Sequence, residues 1–359
     1  MTGNQKNKMK SFRPEDVVIA LVSAALTNSE RHLNIITKIS KSDWTQIYEI
    51  ACMQGVVGII FPVMEKMPKE FLPDSHLLLK WIGHVEHINK SNQQYNVHAN
   101  EFLGRLKHFG IEVVVLKGTF CAGYYPQPNN RLLGDLDIYP INVDSTTVDS
   151  ICRKHGLYVE QHDYKHSKIL YKGLTIENHK YCTEIRGAQV KKDFEIYLRK
   201  LLYNGNIIQF NALFLMAHAF NHFLDEGLNL RQICDWAMFI KHEQNRIDWN
   251  DFNHWMRLMH MYKFAGLLNC IVSEKIGVSI NNSKIFVSSF CREKMMNDIF
   301  FVHRNLHNKG LKGLDYRMAQ IRNTFGAIWK YNDICEQNVG IAYMKNVWYY
   351  FTEKKPTIE

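Results

Sequence analysis

No CxxC pair occurs among the eight cysteines, which stand singly at Cys52, Cys121, Cys152, Cys182, Cys234, Cys270, Cys291 and Cys335. Their spacing excludes a zinc ribbon and a dithiol redox motif, and it leaves reduced thiols serving mostly as small core residues. Long apolar runs are missing too. The longest, "VVIALVSAAL" and "GVVGIIFPVM", fall well short of the roughly 20 residues a membrane span needs. The stretch "MTGNQKNKMKSFRPED" lacks the apolar core of a signal peptide, so the expectation is a soluble cytoplasmic protein with no membrane partner. There is no internal repeat, low-complexity linker, dense Lys/Arg tract, RNP-like aromatic motif or zinc finger. The formal net charge of +9 is spread along the chain. It therefore favours phosphate-bearing partners in general without singling out nucleic acid.

What is present is an ordinary globular composition, 46% hydrophobic and 22% charged over 359 residues, enough for two or three domains. Three regions follow from the periodicity. Residues 1–110 read as helical: "RPEDVVIALVSAAL" with Pro14 in a first turn, "WTQIYEIACMQG" ending on Gly55, and a long polar-faced helix from "SHLLLKW" to Gly110. Residues 111–203 change character. "IEVVVLKG" predicts a buried strand, "TFCAGYY" a short helix, "GDLDIYPI" a second strand, and "DSTTVDSICRKHG" a helix capped by Asp144 or Ser145. "LYVEQHD", "HSKILYK", "LTIENHKY" and "KKDFEIYL" then read as four further strands. Residues 204–359 return to helix. The fold class expected is α+β, a mixed sheet with helices, flanked by helical regions on both sides.

The chemistry gathers in the middle region. In a strand Asp135 and Asp137, at i and i+2, point the same way while Leu136 and Ile138 point the other. Glu177 on a later strand can supply a third carboxylate, with Glu195 in "DFEIYL" a rival for that place. Such a set of hard oxygens can hold one or two Mg²⁺ ions, with Mn²⁺ as the alternative, against a triphosphate, and one carboxylate can accept the proton of an attacking nucleophile. Gly118 and Thr119, at a strand-to-helix turn, let backbone N–H groups approach phosphate. Lys117 binds phosphate or caps a strand end. Arg131 contacts the triphosphate or grips Asp135 as a bidentate pair.

From Val113 to Asp137, "VVVLKGTFCAGYYPQPNNRLLGDLDIY" resembles the DNA polymerase β-type nucleotidyltransferase superfamily, and within it the uncharacterised nucleotidyltransferase family of bacteria. That resemblance implies a polymerase β-like core. It puts Gly118 and Thr119 in place of a Gly-Ser turn, makes Asp135 and Asp137 the metal carboxylates, and gives Glu177 with His179, in "IENH", the third-carboxylate strand. "FLMAHAFNHFLDEGLNLRQICDWAMFI" is similar to the family's helical part, with His218, His222, Arg231 and Asp235 at matching places. The likeness runs from about residue 111 to residue 240. Two positions depart from the pattern, Thr119 for serine and Glu177 for aspartate.

Taken alone, His218 and His222 have the i, i+4 spacing of a helical zinc site but no HExxH glutamate and no third ligand, so packing or polar contacts are expected. Arg231 and Asp235 have the spacing of an ordinary helical ion pair, the reading favoured, or else face the cleft and help with substrate, which the family likeness supports. Trp236, Trp249 and Trp255 are read as core. The resemblance implies transfer of a nucleoside monophosphate from an NTP, ATP being favoured, to an unknown acceptor, a small molecule or a protein before nucleic acid. Two rivals remain at this point. One is a catalytically silent, antitoxin-like binding module; the other is a phosphohydrolase, for which "HD" at His162-Asp163 is the only hint.

Overall fold

The computed structural model describes residues 13–29, 33–161, 164–183, 188–225, 227–281, 288–306 and 326–335. The His162-Asp163 pair lies outside them. Four helices come first: α1 (Pro14–Thr27), α2 (Asp43–Met53), α3 (Val57–Met64) and α4 (Ser75–His108). Pro14 occupies the first turn of α1, where a missing N–H costs nothing. The Asp74 side chain accepts the Leu77 N–H to cap α4. The 34 residues of α4 make a rod about 50 Å long.

The next segment alternates strands and short helices: β1 (Val113–Val115), α5 (Thr119–Ala122), β2 (Leu136–Pro140), α6 (Ser145–Lys154), β3 (Tyr158–Gln161), β4 (His166–Tyr171) and β5 (Leu174–His179). They form one mixed sheet in the order β1-β2-β5-β4-β3. β2 and β5 run parallel with Asp137 opposite Glu177. The other pairs are antiparallel, and in the β4–β5 hairpin Lys168 lies opposite Glu177 and His166 opposite His179. Six more helices follow: α7 (Gln189–Tyr203), α8 (Ile207–Asp225), α9 (Leu230–Glu243), α10 (Trp249–Leu258), α11 (Tyr262–Ile271) and α12 (Ser289–Leu306).

One sequence expectation fails here. "KKDFEIYL" is not the last strand of the sheet but part of α7. Its buried residues Phe194, Glu195, Leu198, Leu201 and Leu202 recur at the helical spacing of three and four, and the apparent alternation was the shorter of two competing periods.

Two apolar cores hold the chain. The smaller lies under one sheet face, where Leu136, Ile138, Ile169 and Ile176 meet Tyr95, Phe102 and Leu106 of α4 and Val148 of α6. The larger joins helices from both ends of the described chain, with Leu21, Trp44 and Trp81 packed in one cluster with Phe210, Trp236, Phe264 and Met295. Trp249 packs against this cluster and Trp255 belongs to it. Among the described residues α8 is the one helix long and apolar enough to cross a membrane. Its window Ile207–Leu224 has mean hydropathy 1.2 and is 72% buried inside the protein. All eight cysteines are free thiols, six of them buried.

Candidate functional site

Strand alternation decides which side chains reach the cleft. On β2, Leu136 and Ile138 turn into the smaller core, which sends Asp137 to the opposite face. On β5, Leu174, Ile176 and Asn178 are buried, which sends Glu177 and His179 to that same face. Asn178 is pinned from behind, donating to the Ser145 carbonyl and to Asp149 Oδ1 at 2.8 Å each. The parallel register then places Glu177 beside Asp137. Asp135 lies just before β2 and is exposed, whereas the Asp137 side chain is 2% exposed.

Asp137 is not left unbalanced. Its Oδ1 is 3.0 Å from Lys117 Nζ and 3.0 Å from His179 Nε2. Glu177 is flanked by His166 Nε2 at 3.5 Å, His179 Nε2 at 3.6 Å and Lys168 Nζ at 3.9 Å. Burial pushes the Glu177 carboxyl up, but His179 and then the charges of His166 and Lys117 outweigh it and bring it to about 2. Asp135 moves the other way. Partial burial, then the negative charges of Glu177 and Asp137, raise its pKa. His179 is lowered by burial but raised more by Asp137 and Glu177, so the balance is upward.

The loop into β2 is set by α4. Asn92, buried at the midpoint of that helix, donates to the carbonyls of Asn129 and Arg131 at 2.7 Å each and accepts from the Leu133 N–H at 3.3 Å. On the other side of this loop Gly58 of α3 approaches so closely that a β-carbon there would sit 2.4 Å from the Asn130 carbonyl oxygen. Gly118, at φ 68° and ψ −106°, turns the chain from β1 into α5, a left-handed conformation that glycine adopts at least cost. Thr119 then opens α5.

Helices α8 and α9 close the cleft, whose volume is about 300 Å³. Its lining includes Lys117, Gly118, Arg131, Asp135 and Asp137 from the sheet side and His218, His222, Arg231 and Asp235 from the helices. α9 begins with a reciprocal cap between Asn229 and Gln232 that fixes its first turn. Trp236, in the core, donates its indole N–H to Asn269 at 2.8 Å. His218 and His222 stack edge to face at 4.6 Å, and burial, then the positive charge of Lys117, lowers His218 well below the usual histidine range.

Two expected pairings are replaced by others, and one candidate carboxylate is engaged elsewhere. Arg131 does not grip Asp135. Its guanidinium holds Asp235 in a bidentate pair, Nε to Oδ1 at 2.7 Å and an Nη to Oδ2 at 2.6 Å, with Tyr125 adding a hydroxyl donor to Oδ1 at 2.7 Å. Arg131 is only 5% exposed, so it braces the cleft from below. With Asp235 taken, Arg231 is not its i, i+4 partner either; it donates to the Leu132 carbonyl at 3.2 Å. Burial, then the charge of Arg131, lowers the Arg231 pKa. Glu195 is fully buried on α7, where its carboxylate accepts from the N–H groups of Cys182 and Thr183 at 3.0 Å, away from the other carboxylates.

His166 is a residue that the sequence reading left out. Its place was recoverable, because a two-residue turn at Lys172-Gly173, both at positive φ, joins β4 to β5. Six residues outward from that turn on either strand lie His166 and His179.

Asp135, Asp137 and Glu177 offer hard oxygen donors of the kind Mg²⁺ takes, but their oxygens do not all come within 4.8 Å of one another, a spacing that among the described residues only His166, Glu177 and His179 meet. The same lining holds two cations suited to the phosphates that such a cation accompanies, Lys117 beside Asp137 on the sheet side and Arg231 on α9. Searches of curated proteins and of solved structures return no match to this chain. A family model described as "Uncharacterised nucleotidyltransferase" matches residues 40–275, from α2 to the end of α11, and so takes in every element that lines the cleft. The chain belongs to this uncharacterised nucleotidyltransferase family.

Proposed function

We propose that this protein transfers a nucleoside monophosphate from an NTP, ATP being favoured, to a hydroxyl or similar acceptor on a small molecule or a protein, in the cytoplasm. The observation that carries the reading is the division of the cleft: carboxylates at Asp135 and Asp137 with Glu177 beside them on one wall, cationic Lys117 and Arg231 within the same lining. Asp135, Asp137 and Glu177 would hold Mg²⁺, which would supply positive charge against the triphosphate and its pyrophosphate leaving group.

The protein's own groups have separable tasks. His179 and Lys117 orient Asp137 through 3.0 Å contacts, so that one of its oxygens stays directed at the cleft. Arg231 has no carboxylate ion pair among the described residues, and a half-buried guanidinium beside another guanidinium gains most by meeting an anion. Arg131, engaged with Asp235, fixes the loop that delivers Asp135. Gly118 and Thr119 present the β1–α5 turn to the phosphates.

Calorimetric titration with ATP, GTP, CTP and UTP, with and without Mg²⁺, tests this reading. At least one nucleotide should bind only with the cation. Asp135→Asn, at an exposed position, should weaken that binding by about tenfold or more while leaving the melting temperature within a few degrees. An α-phosphate label then finds the acceptor. No binding of any nucleotide would overturn the proposal and favour the silent binding module.

A further inference from the structure

Glu177 is flanked by two imidazoles, His166 from β4 and His179 two residues further along β5, besides the Lys168 ammonium 3.9 Å away, and the spacing of the imidazoles is that of ligands around a small cation. His166 Nε2 lies 3.5 Å from Glu177 Oε1 and His179 Nε2 lies 3.6 Å from Glu177 Oε2. Both separations exceed the 2.7–3.2 Å of a good N–H···O hydrogen bond. Each, measured to a different oxygen of the carboxylate, is close to the edge of about 3.4 Å expected for a tetrahedron with metal–ligand bonds of about 2.0–2.1 Å. One ligand atom from each of the three residues can be chosen so that all lie within 4.8 Å of one another. Among the described residues this is the one such group of histidine, cysteine and carboxylate side chains.

We propose that His166, Glu177 and His179 bind a borderline divalent cation such as Zn²⁺, in a site that shares Glu177 with the carboxylate set and adjoins Asp137 through His179. Two imidazoles and one carboxylate select Zn²⁺ or Co²⁺ over Mg²⁺, which prefers an all-oxygen shell. The strand order separates the two sites: Asp137 stands on β2, Glu177 on the central β5, and His166 on β4. The scaffold is set before any cation arrives, because the tight turn at Lys172-Gly173 puts the two histidines directly opposite each other, with ring centroids 5.2 Å apart. The three side chains are 13%, 15% and 14% exposed, enough for a cation to enter and for a water or a ligand oxygen to take the fourth position. The 3.0 Å contact from His179 Nε2 to Asp137 is the bond such a cation displaces.

This inference goes beyond nucleotidyl transfer and does not need a nucleotide to bind. Full-length protein stripped with a chelator is titrated with Co²⁺ and followed by visible absorption. One equivalent should give the strong bands of four-coordinate Co²⁺, which Zn²⁺ abolishes and excess Mg²⁺ leaves in place. His166→Gln and His179→Gln should each weaken Co²⁺ binding by about tenfold or more, with melting temperature recorded beside each titration. Asp135→Asn should leave Co²⁺ binding within about twofold even where it abolishes Mg²⁺-dependent nucleotide binding, so the two proposals fail separately. If His179→Gln does not fold, His166→Gln decides alone. The weak spectrum of six-coordinate Co²⁺, or wild-type affinity in a folded His166→Gln protein, would overturn the proposal.

Discussion

Glu177 stands between two histidines with Lys168 near by, and this neighbourhood makes its charge a stability term that pH can switch. Its pKa in the folded protein is about 2, below the roughly 4.3 of an unperturbed glutamate. A depressed carboxylate stabilises the folded state at pH values above its unfolded pKa and loses that contribution as pH falls toward the folded value. The loss therefore lies between about pH 4.5 and pH 2, and solvent screening at this partly open position leaves it on the order of 2 kcal/mol. Glu177→Gln should remove it. Urea unfolding at pH 6 and pH 3.5 is expected to show a smaller drop for the variant than for wild type, and equal drops would contradict the assignment. The same residue scale shows where local reading of sequence stops. Arg231 and Asp235 have ideal helical spacing, yet Asp235 pairs with Arg131, 104 residues away in the chain. A bidentate, buried, Tyr125-supported pair is worth more than the few tenths of a kcal/mol of an exposed i, i+4 contact. No period in the sequence reports such a contact. The Asp135-x-Asp137 spacing did report the cleft-facing side of β2, because strand geometry alone sets it.

Elements were legible wherever one period dominated and a stop signal followed. The run ending on Gly110 is α4, and the apolar "VVV" is β1. Competing periods misled at α7, where Phe194, Ile196 and Leu198 alternate as a strand would while Phe194, Leu198, Leu201 and Leu202 trace a helix face. Packing chose the helix, because Phe194, Leu198, Leu201 and Leu202 all enter the larger core. The approach of α3 to the loop before β2 had no sequence signal beyond a glycine at position 58, and it yields a prediction. In Gly58→Ala the new methyl would lie 2.4 Å from a backbone oxygen of Asn130, so the backbone itself must shift. Overpacking of this kind costs about 1–3 kcal/mol. The displaced segment is the one that Asn92 holds and that carries Arg131. Gly58→Ala should lower the urea midpoint and also weaken nucleotide binding, although α3 supplies no residue to the cleft lining. A variant as stable as wild type would show that α3 can slide away from the loop.

At the scale of the whole molecule, the helices on either side of the sheet behave as a single body in packing, which their separation in sequence conceals. Gln54, buried just after α2, is the clearest joint. Its Oε1 accepts the Leu230 N–H at 2.8 Å, its Nε2 donates to the Ile299 carbonyl at 2.9 Å, and its own carbonyl accepts the Arg231 N–H at 3.3 Å. One side chain from the first helices thus satisfies the start of α9 and a carbonyl of α12. Ser23 adds a second joint, donating to the Ile276 carbonyl at 2.8 Å. Gln54→Ala would leave the Leu230 N–H, in the first turn of α9, buried without a partner at about 1–3 kcal/mol, while the Ile299 carbonyl, inside α12, would lose its second hydrogen bond and keep the helical one. Since Trp44, Trp81 and Trp236 all lie in the larger core, tryptophan fluorescence reports on helices from both ends of the described chain. The expected result in urea is one transition, moved to lower denaturant by a few kcal/mol of lost stability, with fluorescence and far-ultraviolet circular dichroism still coincident. Two separated transitions in the variant would mean that the first helices and the last ones fold as independent units that merely touch. A single shifted transition would mean that the cleft wall carrying Arg231 is held by residues placed before the sheet begins, so that damage to α2 reaches the site through stability.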